Sequence, residues 1–195
     1  MARVAAVIRG GGLVAIPTDT LYALAADPFN PVAVDRVFAA KGRAEGQAVA
    51  LVAADAVQVT ARIGALTKMG SRLADRFWPG PLTILMTVPA ALAPAVSAGT
   101  GSVGVRVPDH GVPRELCRLT ASPLVATSAN RSGRPPSNDA DEVAAALGDS
   151  IDLLVDSGPT PGGAPSTIVD ARDAAPRLIR EGAIAWERIE RCLHE

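Results

Sequence analysis

Short apolar runs, each ended by proline, glycine or polar residues, constrain the fold of this chain more than any other feature of its sequence. The run 13–16, Leu-Val-Ala-Ile, is ended by Pro17, and proline removes a donor from the hydrogen-bond ladder of a sheet. Runs of this length between turn residues are typical of buried strands. The same pattern predicts strands at 49–53, 82–88, 103–107, 124–127, 153–155, 167–169 and 178–179.

Helical patterning separates these runs. The apolar stretch 2–9 is followed by glycines at 10–12, and glycine commonly ends a helix. Asn30 is expected to cap a helix that begins at Pro31 and ends near Lys41. Because helices and strands alternate in the first half, while the last strands follow one another closely, we expect an α/β fold with a mixed sheet. Further helices are predicted at 66–77, 112–120, 139–147 and 185–193.

Length and composition predict one soluble globular domain over 1–195. The 195 residues are 48% hydrophobic and 20% charged, and no apolar run approaches the roughly 20 residues of a membrane span. Arg3 and Arg9 lie within the apolar start, which lacks the long apolar core and the cleavage site of a secretory signal. We therefore expect a cytoplasmic protein with no membrane partner.

The few cysteine, histidine and aromatic residues argue against several classes of protein. Cys117 and Cys192 lie far apart, so neither a disulfide framework nor a zinc site is expected, and His110 and His194 are too few for a histidine-rich metal centre. A net charge of −1 and an aromatic content of 3% also argue against a broad surface for nucleic acid. An anion site in this chain must therefore be local.

Two hydroxyls and a carboxylate directly follow the first predicted strand. Thr18, Asp19 and Thr20 come after Pro17, and ligand sites in α/β domains form outside the ends of strands. Alternatively, the segment is an ordinary connection between a strand and a helix, in which Thr18 or Asp19 caps a turn. The sequence does not decide whether Asp19 is a cap or a contact.

A glycine-rich loop at 99–104 has the G-x-G-x-x-G spacing of dinucleotide-binding loops. That fingerprint requires a helix after the loop, so that pyrophosphate meets a helix N-terminus, whereas the residues that follow here predict a strand. We therefore expect only a flexible loop whose backbone amides approach a ligand. No Gly-Lys-Ser or Gly-Lys-Thr sequence occurs, which excludes a P-loop.

Arginine and lysine side chains lie at the ends of other predicted elements. Arg106 alternates with the valines at 103–107, so it faces a cleft or solvent if the valines face the core. Lys41 and Arg43 end a predicted helix, where the helix dipole favours cations whatever the function. Arg180 follows the last predicted strand.

Hydroxyl and amide side chains lie at the ends of two more predicted strands. The loop 127–136 contains Ser128 and Asn130, and Ser166 precedes the run 167–169. The alternative role for the first loop is a polar turn that caps the next helix through Ser137 or Asn138. Together with the cations, these groups predict an anion pocket built from several strand and helix ends.

The polar segments belong to longer motifs. They read GGLVAIPTDTLY, KGR, WPGPLT, VRVPDH, TSANRSG, PSTI and REG, beginning at residues 11, 41, 78, 105, 127, 165 and 180. In this order they resemble the YrdC/TsaC family of L-threonylcarbamoyladenylate synthases, and the match covers nearly the whole chain.

The resemblance implies a twisted, open α/β sheet with flanking helices and a deep, locally positive cleft. It implies a nucleotidyltransferase that combines ATP, L-threonine and bicarbonate, with Mg²⁺, into threonylcarbamoyl-AMP and pyrophosphate. The product would pass to a threonylcarbamoyl transferase complex that modifies the adenosine next to the anticodon of ANN-decoding tRNAs. This chemistry depends on positioning and charge neutralisation, so no catalytic side chain and no protein ligand of the metal is assigned.

The resemblance also implies roles for particular residues. Threonine would contact Thr20, Arg106, Ser128 and Ser166, with Arg106 pairing with its carboxylate. ATP would face Lys41, Arg43, Gln47, Ser102, Asn130 and Arg180. Tyr22 would form a cleft wall or, like Trp78, pack in the core.

The chain departs from the family pattern at several positions. Ala44 and Ala48 stand where proline is common, and Ala23 stands where glycine usually follows the tyrosine. These departures affect the path of the 41–49 loop, and the chain ends too early for the extra C-terminal domain of longer members. Two alternative functions stay open: an RNA-binding module, favoured by Arg131 and Arg134 at the cleft rim, and a divergent paralogue with a different acceptor.

Overall fold

Nine strands form one open, mixed sheet across the residues that the computed structural model describes, 1–42, 46–173 and 175–194. The pairs β1–β7, β3–β5 and β4–β8 are parallel and the other neighbours are antiparallel, which confirms the predicted α/β class and mixed sheet. The order across the sheet is β7-β1-β2-β6-β3-β5-β4-β8-β9. The strands are β1 (Val14–Ile16), β2 (Ala23–Ala26), β3 (Ala50–Val52), β4 (Leu82–Thr87), β5 (Ser102–Arg106), β6 (Leu124–Ser128), β7 (Leu153–Leu154), β8 (Thr167–Asp170) and β9 (Arg177–Arg180).

Helices flank this sheet, and each helix predicted from the sequence is present. Of the helices in the described part of the chain, none is long and apolar enough to cross a lipid bilayer. They are α1 (Ala2–Arg9), α2 (Pro31–Lys41), α3 (Ala56–Arg62), α4 (Lys68–Phe77), α5 (Pro94–Ser97), α6 (Gly111–Thr120), α7 (Ala140–Leu147) and α8 (Trp186–His194), with a 3₁₀ turn at Gly148–Ser150.

Three elements were not predicted from the sequence: β2, α3 and α5. The β2 sequence Ala-Leu-Ala-Ala is fully buried, but alanine is depleted in strands and hides the pattern. Helices α3 and α5 are too short to show helical periodicity. Because β2 is antiparallel to β1, the segment 17–22 joins two strands, and its interpretation as a strand-to-helix connection is wrong.

Helix caps agree with the sequence at one helix and differ at another. The Asn30 side chain accepts a hydrogen bond from the Ala33 amide, as expected for the cap of α2. The cap of α7 is Asp139, which accepts two backbone N–H groups, so the prediction of Ser137 or Asn138 is wrong. The Asp139 carboxylate stands one residue before the helix, where its oxygens reach the free amides of the first turn. Ser137 instead accepts from the Asp139 amide at 2.9 Å.

Both faces of the sheet are covered. Ala15 of β1 packs with α2 on one face, whereas its neighbours Val14 and Ile16 pack with α1 and α6 on the other. A third apolar cluster joins α4 and α8 to β4 and β8. A strand buried on both faces needs apolar side chains at successive positions, which explains the continuous apolar runs.

Candidate functional site

A cleft of about 460 Å³ opens at the β1–β2 turn, the end of β6 and the loop before β8. Apolar side chains, including those of β2 and β3, form part of its wall, and hydroxyl and guanidinium groups form another part. A neighbouring recess of about 370 Å³ shares Thr127 and Ser128 with the cleft. The end of β6 therefore lies between two concave regions that could hold two parts of one ligand or two ligands.

The residues predicted to bind threonine all line the cleft. Thr20 comes from the β1–β2 turn, Arg106 from the end of β5, Ser128 from the end of β6, and Ser166 from the residue before β8. Sheet pairing brings these segments together although they are separated by up to 146 positions in the sequence. Their contact with threonine itself stays a prediction.

The residues predicted to bind ATP are distributed differently. Lys41, Gln47 and Asn130 line the recess, and Arg180 lines the cleft. Ser102 lines neither region; its hydroxyl lies 3.2 Å from the Thr100 hydroxyl at the start of β5. Arg43 falls outside the described residues.

Arg106 and Asp19 form an ion pair at the cleft, with side chains only 8% and 10% exposed. The other Asp19 oxygen accepts from the Asp109 amide at 3.1 Å. Burial lowers the pKa of the Arg106 guanidinium, the charge and hydrogen bond of Asp19 oppose this shift, and nearby Arg180 adds to the lowering. Among the described residues, buried Arg106 Nε has no hydrogen-bond partner. Asp19 is thus the ion-pair partner of Arg106, a role that the sequence did not predict.

The turn that holds Asp19 is shaped by the Thr18 hydroxyl. Thr18 Oγ1 donates to the Leu21 carbonyl at 2.7 Å and accepts from the Thr20 amide at 3.2 Å. Its oxygen also lies 3.1 Å from the Thr20 hydroxyl. Because the one Thr18 proton goes to Leu21, Thr20 is the donor between the two hydroxyls. Thr18 therefore fixes the side chain of Thr20 at the cleft.

Lys41 holds the loop after β6. Gly42 follows it in the left-handed conformation that ends α2. The Lys41 ammonium donates to the Ser128 carbonyl at 2.5 Å and to the Asn130 carbonyl at 2.9 Å. The side-chain amide of Asn130 in turn donates to the Arg134 carbonyl at 2.6 Å. The residues that the sequence assigned to ATP thus also shape the loop that lines the recess.

The β7–β8 connection, residues 155–166, is hydrogen-bonded to the β1–β2 turn. The Tyr22 hydroxyl donates to the Gly158 carbonyl at 2.8 Å and accepts from the Ser157 amide at 3.3 Å. The Gly162 amide donates to the Thr20 carbonyl at 2.7 Å. Tyr22 is fully buried in the core and also lines the cleft, so both of its expected roles are present. Trp78 packs at the core and donates to the Leu82 carbonyl.

A second group of polar side chains lies at the other end of the cleft. Arg180 donates to the Ser166 carbonyl at 2.8 Å, and burial lowers the pKa of its guanidinium. The Ser166 and Thr83 hydroxyls lie 2.8 Å apart. Thr83 lies in the WPGPLT motif, but nothing in that motif distinguishes it from its neighbours. Its position on β4 next to β8 is visible only in the sheet.

The described residues contain no group of three or more histidine, cysteine or acidic side chains that could hold a metal ion. Burial raises the pKa of the Cys117 thiol to about 12, so this cysteine is protonated and a poor nucleophile. The polar side chains that line the cleft carry guanidinium and hydroxyl groups.

The fold and the site define a class: a mixed-sheet α/β protein with a cation-lined cleft at its strand ends. Residues 6–182 match the family Sua5_yciO_yrdC, described as "Telomere recombination". The chain belongs to this family, and the resemblance inferred from the motifs is confirmed.

Relatives in this family are similar over most of the chain. A threonylcarbamoyl-AMP synthase of Bacillus subtilis is 39% identical over 97% of this chain, which spans 55% of that protein. A threonylcarbamoyl-AMP synthase of Nitrosococcus oceani is 35% identical over 91% of this chain and 90% of the relative. A crystal structure of Pyrococcus abyssi Sua5 complexed with L-threonine has a TM-score of 0.93 and 35% identity, covering 98% of this chain and 56% of the other. The chain therefore spans about half the length of some relatives and nearly all of another.

Proposed function

We propose that this chain is a threonylcarbamoyl-AMP synthase that uses L-threonine, bicarbonate and ATP. The observation that carries the proposal is the buried guanidinium of Arg106, which lines one cleft with the hydroxyls of Thr20, Ser128 and Ser166. A guanidinium and several hydroxyls suit a small amino acid that has a carboxylate and a hydroxyl of its own. The names of the relatives and the threonine complex of the Pyrococcus protein support the same assignment.

The proposed reaction needs two bond-forming steps. The threonine amine attacks the carbon of bicarbonate, and loss of a proton and hydroxide leaves a carbamate. A carbamate oxygen then attacks the α-phosphorus of ATP, the bond to the leaving pyrophosphate breaks, and threonylcarbamoyl-AMP forms. Both steps join bound reactants, so the site contributes mainly by alignment and charge neutralisation.

The two concave regions suit this division of substrates. We place threonine in the cleft beside Arg106 and the nucleotide in the recess beside Lys41 and Asn130. Ser128 borders both regions, so the reacting carbamate and α-phosphate would meet near the end of β6. Arg180 lies at the cleft, where its charge would neutralise a phosphate or carboxylate oxygen.

Mg²⁺ would enter with ATP. The polar side chains that line the cleft and the recess carry cationic, hydroxyl and amide groups. Mg²⁺ prefers carboxylate oxygens, and the described residues contain no acidic cluster that could hold it. We therefore assign the ion to the phosphates of the nucleotide.

The product would be consumed by a second enzyme. A mixed anhydride of a carbamate and AMP is a reactive acyl donor, so an enzyme that transfers its threonylcarbamoyl group must follow. We propose a tRNA-modifying transferase complex as that partner and the cytoplasm as the location. The RNA-binding alternative is not favoured, because the relatives are named as synthases.

Release of pyrophosphate tests the proposed function. With ATP, bicarbonate and Mg²⁺ present, we expect pyrophosphate release only when L-threonine is added. Release without threonine, or none with it, contradicts the proposal. A panel of other amino acids tests for a divergent paralogue, which would prefer another acceptor.

Substitution of Arg106 tests its place in the site. Arg106→Lys retains a charge beside Asp19 but loses the planar fork, so we expect the KM for threonine to rise at least about tenfold. Arg106→Ala should weaken threonine use further. An unchanged threonine dependence in both variants would remove Arg106 from the site.

A further inference from the structure

We propose that Thr83 is a positioning residue that makes the Ser166 hydroxyl a hydrogen-bond donor to the bound substrate. This inference rests on the proposed function, because it assigns a direction to one contact of the threonine site. Thr83 Oγ1 lies 2.8 Å from Ser166 Oγ, and both residues line the cleft.

The direction of the hydrogen bond follows from the burial of Thr83. Thr83 is 2% exposed, and within the described residues its hydroxyl has one partner, Ser166 Oγ. A buried hydroxyl that cannot donate its proton is strongly disfavoured. Thr83 therefore donates and Ser166 accepts.

The remaining contact of Ser166 also uses its oxygen as an acceptor. Arg180 Nη2 lies 3.5 Å from Ser166 Oγ, and a guanidinium can only donate. With donors on the protein side of its oxygen, the Ser166 hydroxyl has its own proton left for the cleft. It would donate that proton to an acceptor atom of the substrate, such as a carboxylate or hydroxyl oxygen.

The side-chain orientation of Thr83 is set by the neighbouring strands. Strand β4 lies between β5 and β8. A Cβ atom at Gly104 of β5 would lie 2.8 Å from Thr83 Cγ2, so the absence of that atom leaves room for the threonine methyl. With its methyl turned toward β5, Thr83 directs its hydroxyl toward Ser166, the residue before β8.

The backbone around Ser166 is held in place. The Thr167 amide donates to the Pro81 carbonyl at 3.0 Å, and the Ala183 amide donates to the Pro165 carbonyl at 2.9 Å. Arg180 binds the Ser166 carbonyl itself. With the backbone held, the Ser166 hydroxyl proton can still rotate, and the hydrogen bond from Thr83 restricts that rotation.

A double-mutant cycle tests this inference. L-Threonine affinity is measured by calorimetry for the wild type, Thr83→Val, Thr83→Ser, Ser166→Ala and the Thr83→Val/Ser166→Ala double variant. Thermal unfolding reports whether each variant is folded. Thr60→Val, on the exposed face of α3, is the matched control for replacing a threonine hydroxyl by a methyl.

We expect Thr83→Val to weaken threonine binding roughly threefold to tenfold, the value of one hydrogen bond. Thr83→Ser, which retains the hydroxyl, should bind within about twofold of the wild type. In the Ser166→Ala background, Thr83→Val should not lower the threonine affinity any further, because Thr83 acts through Ser166.

Three results would overturn the inference. The first is a Thr83→Val variant that binds threonine as tightly as the wild type. The second is an equal loss of threonine affinity in Thr83→Val and Thr83→Ser. The third is a double variant in which the two single losses of affinity add. A wild-type protein that binds no threonine would instead overturn the proposed function, and this inference with it. The two failures are thus distinguished by the wild-type measurement alone.

Discussion

Arg106 and Asp19 form a buried ion pair beside the cleft. Taking a guanidinium out of water is costly, and a carboxylate at contact distance offsets that cost only while both members are present. The pair leaves the buried Nε of Arg106 without a hydrogen-bond partner in the part of the chain that the structure describes. Asp19 therefore keeps the charge of Arg106 in place within the cleft.

Removal of Asp19 should destabilise the protein. Asp19→Ala leaves a buried guanidinium unpaired, so we expect the free energy of unfolding to fall by about 3–5 kcal/mol. Urea unfolding followed by circular dichroism measures this difference.

Two further variants sharpen this measurement. Glu115→Ala breaks the exposed pair with Arg118, whose side chains are 47% and 48% exposed, and should cost less than about 1 kcal/mol. Asp19→Ala/Arg106→Met, which removes both charges, should recover part of the loss. Equal effects at Asp19 and Glu115 would show that burial of the pair contributes nothing.

At the scale of elements, the close packing of β5 against β4 sets the geometry of the cleft. Gly104 lies in a strand whose residues are all buried, and Leu85 and Thr83 approach it from β4. The alternation of valines with Arg106 predicted correctly that this strand has a core face and a cleft face. It did not predict why glycine occupies position 104, because the reason is a side chain on another strand.

Gly104→Ala should lower threonine affinity by displacing Thr83. The added Cβ would lie 2.8 Å from the Thr83 methyl, so that side chain must rotate and move its hydroxyl away from Ser166. We expect a loss of roughly threefold to tenfold in affinity, measured by calorimetry.

Two variants serve as controls for this displacement. Gly111→Ala, at the start of α6, adds a Cβ with no atom within 4 Å and should bind threonine normally. Thr83→Ser in the Gly104→Ala background removes the clashing methyl and should restore affinity. Persistent loss in that double variant would show that alanine acts on the strand and not on Thr83.

At the scale of the whole molecule, Asp170 ties the edge of the sheet to its interior. Its side chain is 2% exposed and accepts hydrogen bonds from Arg172 and Arg177, the latter on the edge strand β9. The Arg172 hydrogen bond is the main cause that holds the pKa of this carboxyl well below its usual range, although burial opposes the shift. The charged form of Asp170 therefore stabilises the fold.

The stability of the whole protein should depend on this carboxyl as the pH changes. A carboxyl with a lowered folded pKa contributes fully above its unfolded pKa of about 4, and its contribution is lost as the pH falls through the folded value. The difference in unfolding free energy between the wild type and Asp170→Asn should thus be largest near neutral pH and shrink below about pH 4. Urea titrations at several pH values measure it, and a difference that does not change with pH would contradict this role.

The strand order is the property of the whole molecule that the sequence did not show. Local pattern placed most strands and helices correctly, because continuous apolar runs and helix caps can be recognised from residues that are close in the sequence. It missed β2, and with it the hairpin that carries Thr18, Asp19 and Thr20 into the cleft. The alanines of β2 are compatible with several structures, and its pairing with β1 and β6 selects the strand.

By itself the sequence determined the α/β class, most of the elements and the family, and it named several of the residues that line the cleft, but not Thr83. Only the tertiary structure showed that Asp19 pairs with Arg106, that Lys41 holds the loop after β6, and that Thr83 meets Ser166. Local elements follow from side-chain pattern and capping over a few neighbours. Side-chain partners from distant segments follow from strand pairing across the sheet, which a single sequence does not encode in any local pattern.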